Sequence, residues 1–169
     1  DVLSAAEHAD LVPACGAPAE TPLPLAQVLS VRDPGAVAVS LGERTLSYAE
    51  LDAQSNRIAR ELISCGVRTG DRVALVLSRS IELVVGVWAV AKTGAAFVPI
   101  DPKNPAERVA VMVADSAARV AVTVEGARDR IVESVHPVVL DDPATAASIA
   151  ARSAAGVTDA LVEAIGSGT

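Results

Sequence analysis

Chemistry needs a few side chains of suitable type at suitable spacing, and this chain offers few. Its two histidines, His8 and His136, are isolated, so no Ser, His and Asp arrangement can be assembled. His136 precedes Pro137 at an expected strand start, a surface or packing position. Cys15 and Cys65 make neither a disulfide framework nor a metal-ligand spacing. They read as small reduced apolar residues of a cytoplasmic protein. Two groups invite a ligand role. Lys92 has the charge to meet a phosphate, but an ammonium in the last turn of a helix ordinarily complements the helix dipole. Asp101 ends a strand on the side where open α/β sheets bind ligands, although turn formation or capping suits its neighbours better. No catalytic and no metal-binding residue is identified.

The elements that would position such groups follow from periodicity. Asp1 to Thr21 reads as a short helix with capping-box spacing at Ser4 and Glu7, then a linker broken by Pro13, Gly16, Pro18, Pro22 and Pro24. A second helix is expected over residues 25–31. Residues 36–41 and 44–47 read as two strands joined at Gly42-Glu43, a hairpin. Residues 47–65 form the strongest helix: Ser47 and Glu50 make a capping box, and Leu51, Ser55, Ile58, Ala59 and Leu62 recur at helical spacing. Gly66 supplies its left-handed exit. Asp52, Arg57, Arg60 and Glu61 read as its solvated face.

From Arg72 the chain alternates strand and helix. Residues 72–77 and 96–100 read as buried strands, 79–93 as a nearly all-apolar helix ended by Gly94. Asn104 and Pro105 are expected to start a helix reaching Ser116, with Asn104 as its cap. A third strand covers 119–124, a helical stretch follows Gly126, and a fourth strand covers 137–140. Residues 144–151 have helical character, and from 154 onward little defines a structure. Such alternation implies βαβ units and a mainly parallel sheet in an α/β fold.

Composition narrows the function classes. Half of the chain is apolar (51%) with 2% aromatic residues, so Val, Leu, Ile and Ala must fill the core. The net charge of −7 is dispersed, which argues against a nucleic-acid footprint. The longest apolar run, residues 83–91, is about half of the roughly 20 residues that span a bilayer. No secretory signal is visible, and a start without Met suggests a piece of something larger. A dinucleotide-binding oxidoreductase is excluded because Ser78-Arg79-Ser80 lacks a glycine fingerprint.

Two stretches go beyond generic α/β. One is Leu46-Ser47-Tyr48-Ala49-Glu50-Leu51 with Asp52, Ser55-Asn56-Arg57 and Ala59. The other runs from Ala91-Lys92-Thr93-Gly94-Ala95-Ala96-Phe97 through Val98-Pro99-Ile100-Asp101-Pro102, with Pro105 to Arg108 after it. In order and separation they resemble the first two core motifs of nonribosomal peptide synthetase adenylation domains, which belong to the adenylate-forming (AMP-binding) enzymes. Gly70 to Ala74, Glu82-Leu83 and Asp115-Ser116 fit as well. Phe97, Asn104 and Val111 depart from the residues usual in that family.

The resemblance implies that residues 1–24 are a linker following a condensation domain. Residues 25–143 would be the N-terminal portion of the large subdomain, and 144–169 a poorly defined tail stopping before the phosphate-binding loop. It further implies that the intact enzyme activates an amino acid with ATP and Mg²⁺ and loads it on the phosphopantetheine of a downstream carrier domain. The partners are then the rest of the adenylation domain, the upstream condensation domain and the carrier, with no nucleic acid and no membrane. Ser167, Gly168 and Thr169, after Gly166, resemble the opening of the family's Gly-, Ser- and Thr-rich loop and are its cofactor-binding candidates. The alternatives are an acyl-CoA or aryl-acid ligase of the same superfamily, or a degenerate, non-catalytic remnant.

Overall fold

The computed structural model describes residues 32–157 together with Leu25, Val28 and Leu29. The expected helix at Ser4, the linker and the run Gly166 to Thr169 lie outside the described residues. The first two strands form a hairpin: β1 (Val37–Leu41) pairs antiparallel with β2 (Arg44–Ser47). Gly42 makes the turn at φ 60°, a left-handed conformation that favours glycine.

Helix α1 (Tyr48–Ser64) starts where its cap dictates. The Glu50 amide donates to Ser47 Oγ at 3.2 Å, and the Ser47 amide donates to the Glu50 carboxylate at 2.8 Å. Two orphan amides of the first turn are thereby satisfied. Its buried face carries Leu51, Ser55, Ile58, Ala59 and Leu62, as the spacing requires, and also Asn56 and Ile63. Gly66 leaves the helix at φ 93°.

The rest alternates: β3 (Arg72–Val76), α2 (Ile81–Lys92), β4 (Ala96–Ile100), α3 (Ala106–Ser116) and β5 (Val120–Thr123). A short 3-10 helix (Glu125–Arg130), β6 (His136–Val139) and α4 (Pro143–Ala151) complete it. The four strands β3 to β6 form one parallel sheet in the order β4-β3-β5-β6. Alternate residues of β3 feed opposite faces. Val73 and Leu75 join Val120 and Val122 beneath α1 and α2, whereas Ala74 and Val76 pack with Ala121 against Val109 and Val113 of α3. Burying one such Val or Leu side chain contributes about 1.5–3 kcal/mol, so the central strand anchors both layers. Gly94, at φ 74°, is needed for space as well as turning: a Cβ there would lie 2.7 Å from Thr69 Oγ1.

Three expectations are corrected. Residues 96–100 do form a strand, but not a buried one: Ala96, Phe97 and Pro99 are exposed and only Ile100 is buried. Among the described residues the strand pairs only with β3 and so lies at the edge of their sheet, where a proline without a donor is tolerated. Asn104 does not cap α3. Its side-chain amide donates back to the Asp101 carbonyl at 2.9 Å, and Pro105 begins the helix without a side-chain cap. The helical stretch expected after Gly126 is a single 3-10 segment that already begins at Glu125.

The Ser47 cap has a stability and a pH consequence. The Ser47 backbone and then its hydroxyl hold the Glu50 carboxyl below its ordinary value. A depressed carboxyl stabilises the fold above its unfolded-state value and loses that contribution as pH falls through the folded one. Ser47→Ala should therefore cost about 1 kcal/mol in denaturant unfolding at neutral pH. Glu50→Gln removes the charge from both bonds, so its deficit against wild type should shrink as acid protonates Glu50. A Glu50→Gln deficit unchanged in acid would rule out the charged cap.

Candidate functional site

The two motif stretches meet at one side chain. Lys92 ends α2 and points into α1, where its side chain is 4% exposed. Its ammonium donates to Asp52 Oδ1 at 2.6 Å, to Ser55 Oγ and Asn56 Oδ1 at 2.8 Å each, and to the Asp52 carbonyl at 3.1 Å. Burial lowers the ammonium below the ordinary lysine value, and the Asp52 carboxylate pulls the other way. Lys92 is thus neither a phosphate binder nor a mere dipole complement; it is a buried cross-link between helices. The missed signal was the polar pair Ser55-Asn56 on the inner face of α1, facing a nearly all-apolar helix with one cation.

The cross-link extends outward. The Asn56 side-chain amide donates to Ala154 O at 2.8 Å. One turn on, the Arg60 guanidinium donates to the carbonyls of Ser153, Ala155 and Gly156 at 3.1, 2.6 and 3.1 Å. Glu61 accepts from Ser148 Oγ and Arg152 Nε, both at 2.9 Å. Arg60 and Glu61, expected on a solvated face, instead hold α4 and the strap 153–156 against α1. Residues 144–156, read above within an ill-defined tail, are therefore docked.

The remaining candidates separate cleanly. Asp101 is a turn former: its Oδ1 accepts from the Lys103 amide at 2.9 Å, and its carbonyl from the Asn104 amide at 3.1 Å. Beside that turn, at the carboxyl ends of β3, β4 and β5, lies an open crevice of about 510 Å³. Burial pushes the Cys65 thiol up, away from the thiolate form that reacts. His136 is exposed at the first position of β6. Among the described residues no three His, Cys, Asp or Glu side chains group as a metal site. Nor is any described helix long and apolar enough to cross a membrane. Ser167, Gly168 and Thr169 lie outside the described residues.

A model described as AMP-binding enzyme matches residues 27–164. The chain belongs to that family. Its AMP-binding relatives include an isonitrile lipopeptide synthase of Mycobacterium tuberculosis, 44% identical over 73% of this chain and 5% of the relative. A dimodular nonribosomal peptide synthase of Bacillus subtilis is 47% identical over 65% of this chain and 5% of its own length. The chain therefore spans a small part of these relatives. Among solved structures, ATP-bound MatB from Rhodopseudomonas palustris superposes with a TM-score of 0.71 at 25% identity, over 80% of this chain and 29% of that one. A nonribosomal peptide synthetase in its α-methyl-L-serine-AMP-bound form gives 0.69 at 27% identity, over 79% of this chain and 14% of that one. The α/β fold with its parallel sheet is thus the N-terminal part of the adenylate-forming fold.

The Lys92 cross-link makes an ordered prediction. Lys92→Met keeps the stem but strands three side-chain acceptors, and should cost about 3 kcal/mol, the lower end for breaking a buried pair. Asp52→Asn should cost less, because Asp52 is 45% exposed and Asn still offers an acceptor. Urea midpoints measure both. A neutral Lys92→Met would show that the apolar layers alone fix the two helices.

Proposed function

We propose that this chain is the front of an amino-acid-activating adenylation domain of a nonribosomal peptide synthetase. The observation that carries the reading is the likeness to relatives named as peptide synthases, 44–47% identical over 65–73% of this chain. In the intact protein an amino-acid carboxylate would attack the α-phosphate of ATP and expel pyrophosphate, giving an aminoacyl adenylate. The phosphopantetheine thiol of a carrier domain would then take the acyl group and release AMP. Mg²⁺ would accompany the triphosphate and offset its charge. Residues 1–24 serve as the linker from a condensation domain, residues 25–143 as the first part of the large subdomain, and the assembly works in the cytoplasm.

The described residues support this chemistry without performing it. Lys92, Asp52, Ser55 and Asn56 are consumed by one another, and Asp101 by its own turn. Ser167, Gly168 and Thr169 are the candidates for the start of a phosphate loop.

Amino-acid-dependent exchange of labelled pyrophosphate into ATP tests the reading. The synthetase carrying this segment should exchange with a small set of amino acids, while the 169-residue chain alone should not exceed a no-enzyme control. The intact protein should then transfer the acyl group to its carrier and not to free coenzyme A. Transfer to coenzyme A would move the chain to the acyl-CoA ligases, and no exchange with any amino acid would leave a non-catalytic remnant.

A further inference from the structure

We propose that the crevice at the carboxyl ends of β3, β4 and β5 is a phosphate-binding site, with Lys103 and Arg130 as its charged walls. The position follows from topology. From β3 the chain moves to β4 on one side of the sheet, then crosses back to β5 and continues to β6 on the other. The connections leaving β3 and β5 therefore diverge, and open α/β sheets bind ligands where the strand order reverses. The crevice lies at that point, bordered by Leu77 and Ser78 after β3, Lys103 after β4, and Gly126 and Arg130 after β5.

Its charge selects the ligand. Lys103 sits on the turn fixed by Asp101 and Asn104, and its ammonium makes no hydrogen bond or ion pair among the described residues. Arg130 makes only loose contacts, with Nε 3.6 Å from Asp129 Oδ1 and Nη1 3.5 Å from the Asn104 carbonyl. Its side chain is one-third exposed, at 33%. The acid in the lining, Glu82, is already bound by Arg44 at 2.8 Å. Two cations with unused donors and a committed carboxylate favour an oxyanion, and a guanidinium beside an ammonium suits phosphate. Its lining residues are not those of the Gly-, Ser- and Thr-rich loop implied by the resemblance. Two sources share the chemistry: the nucleotide, or the phosphodiester of a carrier's pantetheine arm. That choice of sources rests on the function proposed above; the anion site itself does not.

The experiment is an amide-resolved NMR titration of the 169-residue chain with inorganic pyrophosphate. Saturable shifts should map to Lys103, Gly126 and Ala127. Lys103→Ala and Arg130→Ala should each raise the midpoint about three- to five-fold, the range for partly exposed charge contacts. Arg130→Lys should recover part of the loss. Spectra unchanged outside the crevice establish that the variants are folded. Arg119→Ala serves as the control, because Arg119 lines a different crevice with Arg72 at the opposite end of the sheet. Displacement of pyrophosphate by ATP would assign a nucleotide, and displacement by phosphopantetheine the carrier arm. No saturable shifts at the crevice, or equal weakening by Arg119→Ala, would overturn the proposal; displacement by neither compound would overturn both assigned sources. Since no turnover is read, failure here leaves the exchange assay untouched, and failed exchange leaves the anion site standing.

Discussion

A charge removed from water constrains everything around it, and in this chain that charge is the Lys92 ammonium. Its side chain is 4% exposed, in an interior where an uncompensated ion costs several kcal/mol even after relaxation. Compensation comes from acceptors at positions 52, 55 and 56, one turn of α1, so the last turn of α2 can sit in one place only. The apolar contacts between the helices are nondirectional and would tolerate sliding; the acceptor cage does not. Asn56 then passes the constraint on, since its carbonyl oxygen faces Lys92 while its amide holds Ala154 of the strap. A single junction thus ties α1, α2 and the segment after α4 above one face of the sheet.

Elements whose cause is local were legible in the sequence. The hairpin at Gly42, the capping box at Ser47 and Glu50, and the left-handed exit at Gly66 each depend on residues within a few positions. The strand-helix alternation was legible for the same reason, and it fixed the parallel sheet. What failed depended on neighbours far away in sequence. Residues 96–100 are apolar whether the strand is central or at the edge, and only the sheet order decides that. Arg60 and Glu61 look like ordinary solvated residues because their partners, at positions 148–156, lie about ninety residues on. Asn104 has the chemistry of a helix cap, but the Asp101 carbonyl claimed its amide first.

The candidate site shows the same division. Asp101 as a turn former was readable, because Lys103 is its near neighbour. Lys92 was misread because a terminal lysine looks the same whether it faces water or a cage of acceptors. The polar residues on the inner face of α1 were the available warning, since a buried Asn must find partners or cost stability.

The stretches that carry the family resemblance are therefore stretches where packing is decided. Ser47 and Glu50 start α1, Asp52, Ser55 and Asn56 receive Lys92, and Gly94 turns the chain into β4 against Thr69. The polar side chains of the junction are bonded to one another rather than turned towards the crevice. Free cationic donors occur instead beside the second motif, at Lys103, and beyond it, at Arg130, where the sheet order reverses and the loops part. A rigid junction at one place and unspent charge at another is the arrangement a binding scaffold requires: the junction holds the strand ends still, and the strand ends present the charge.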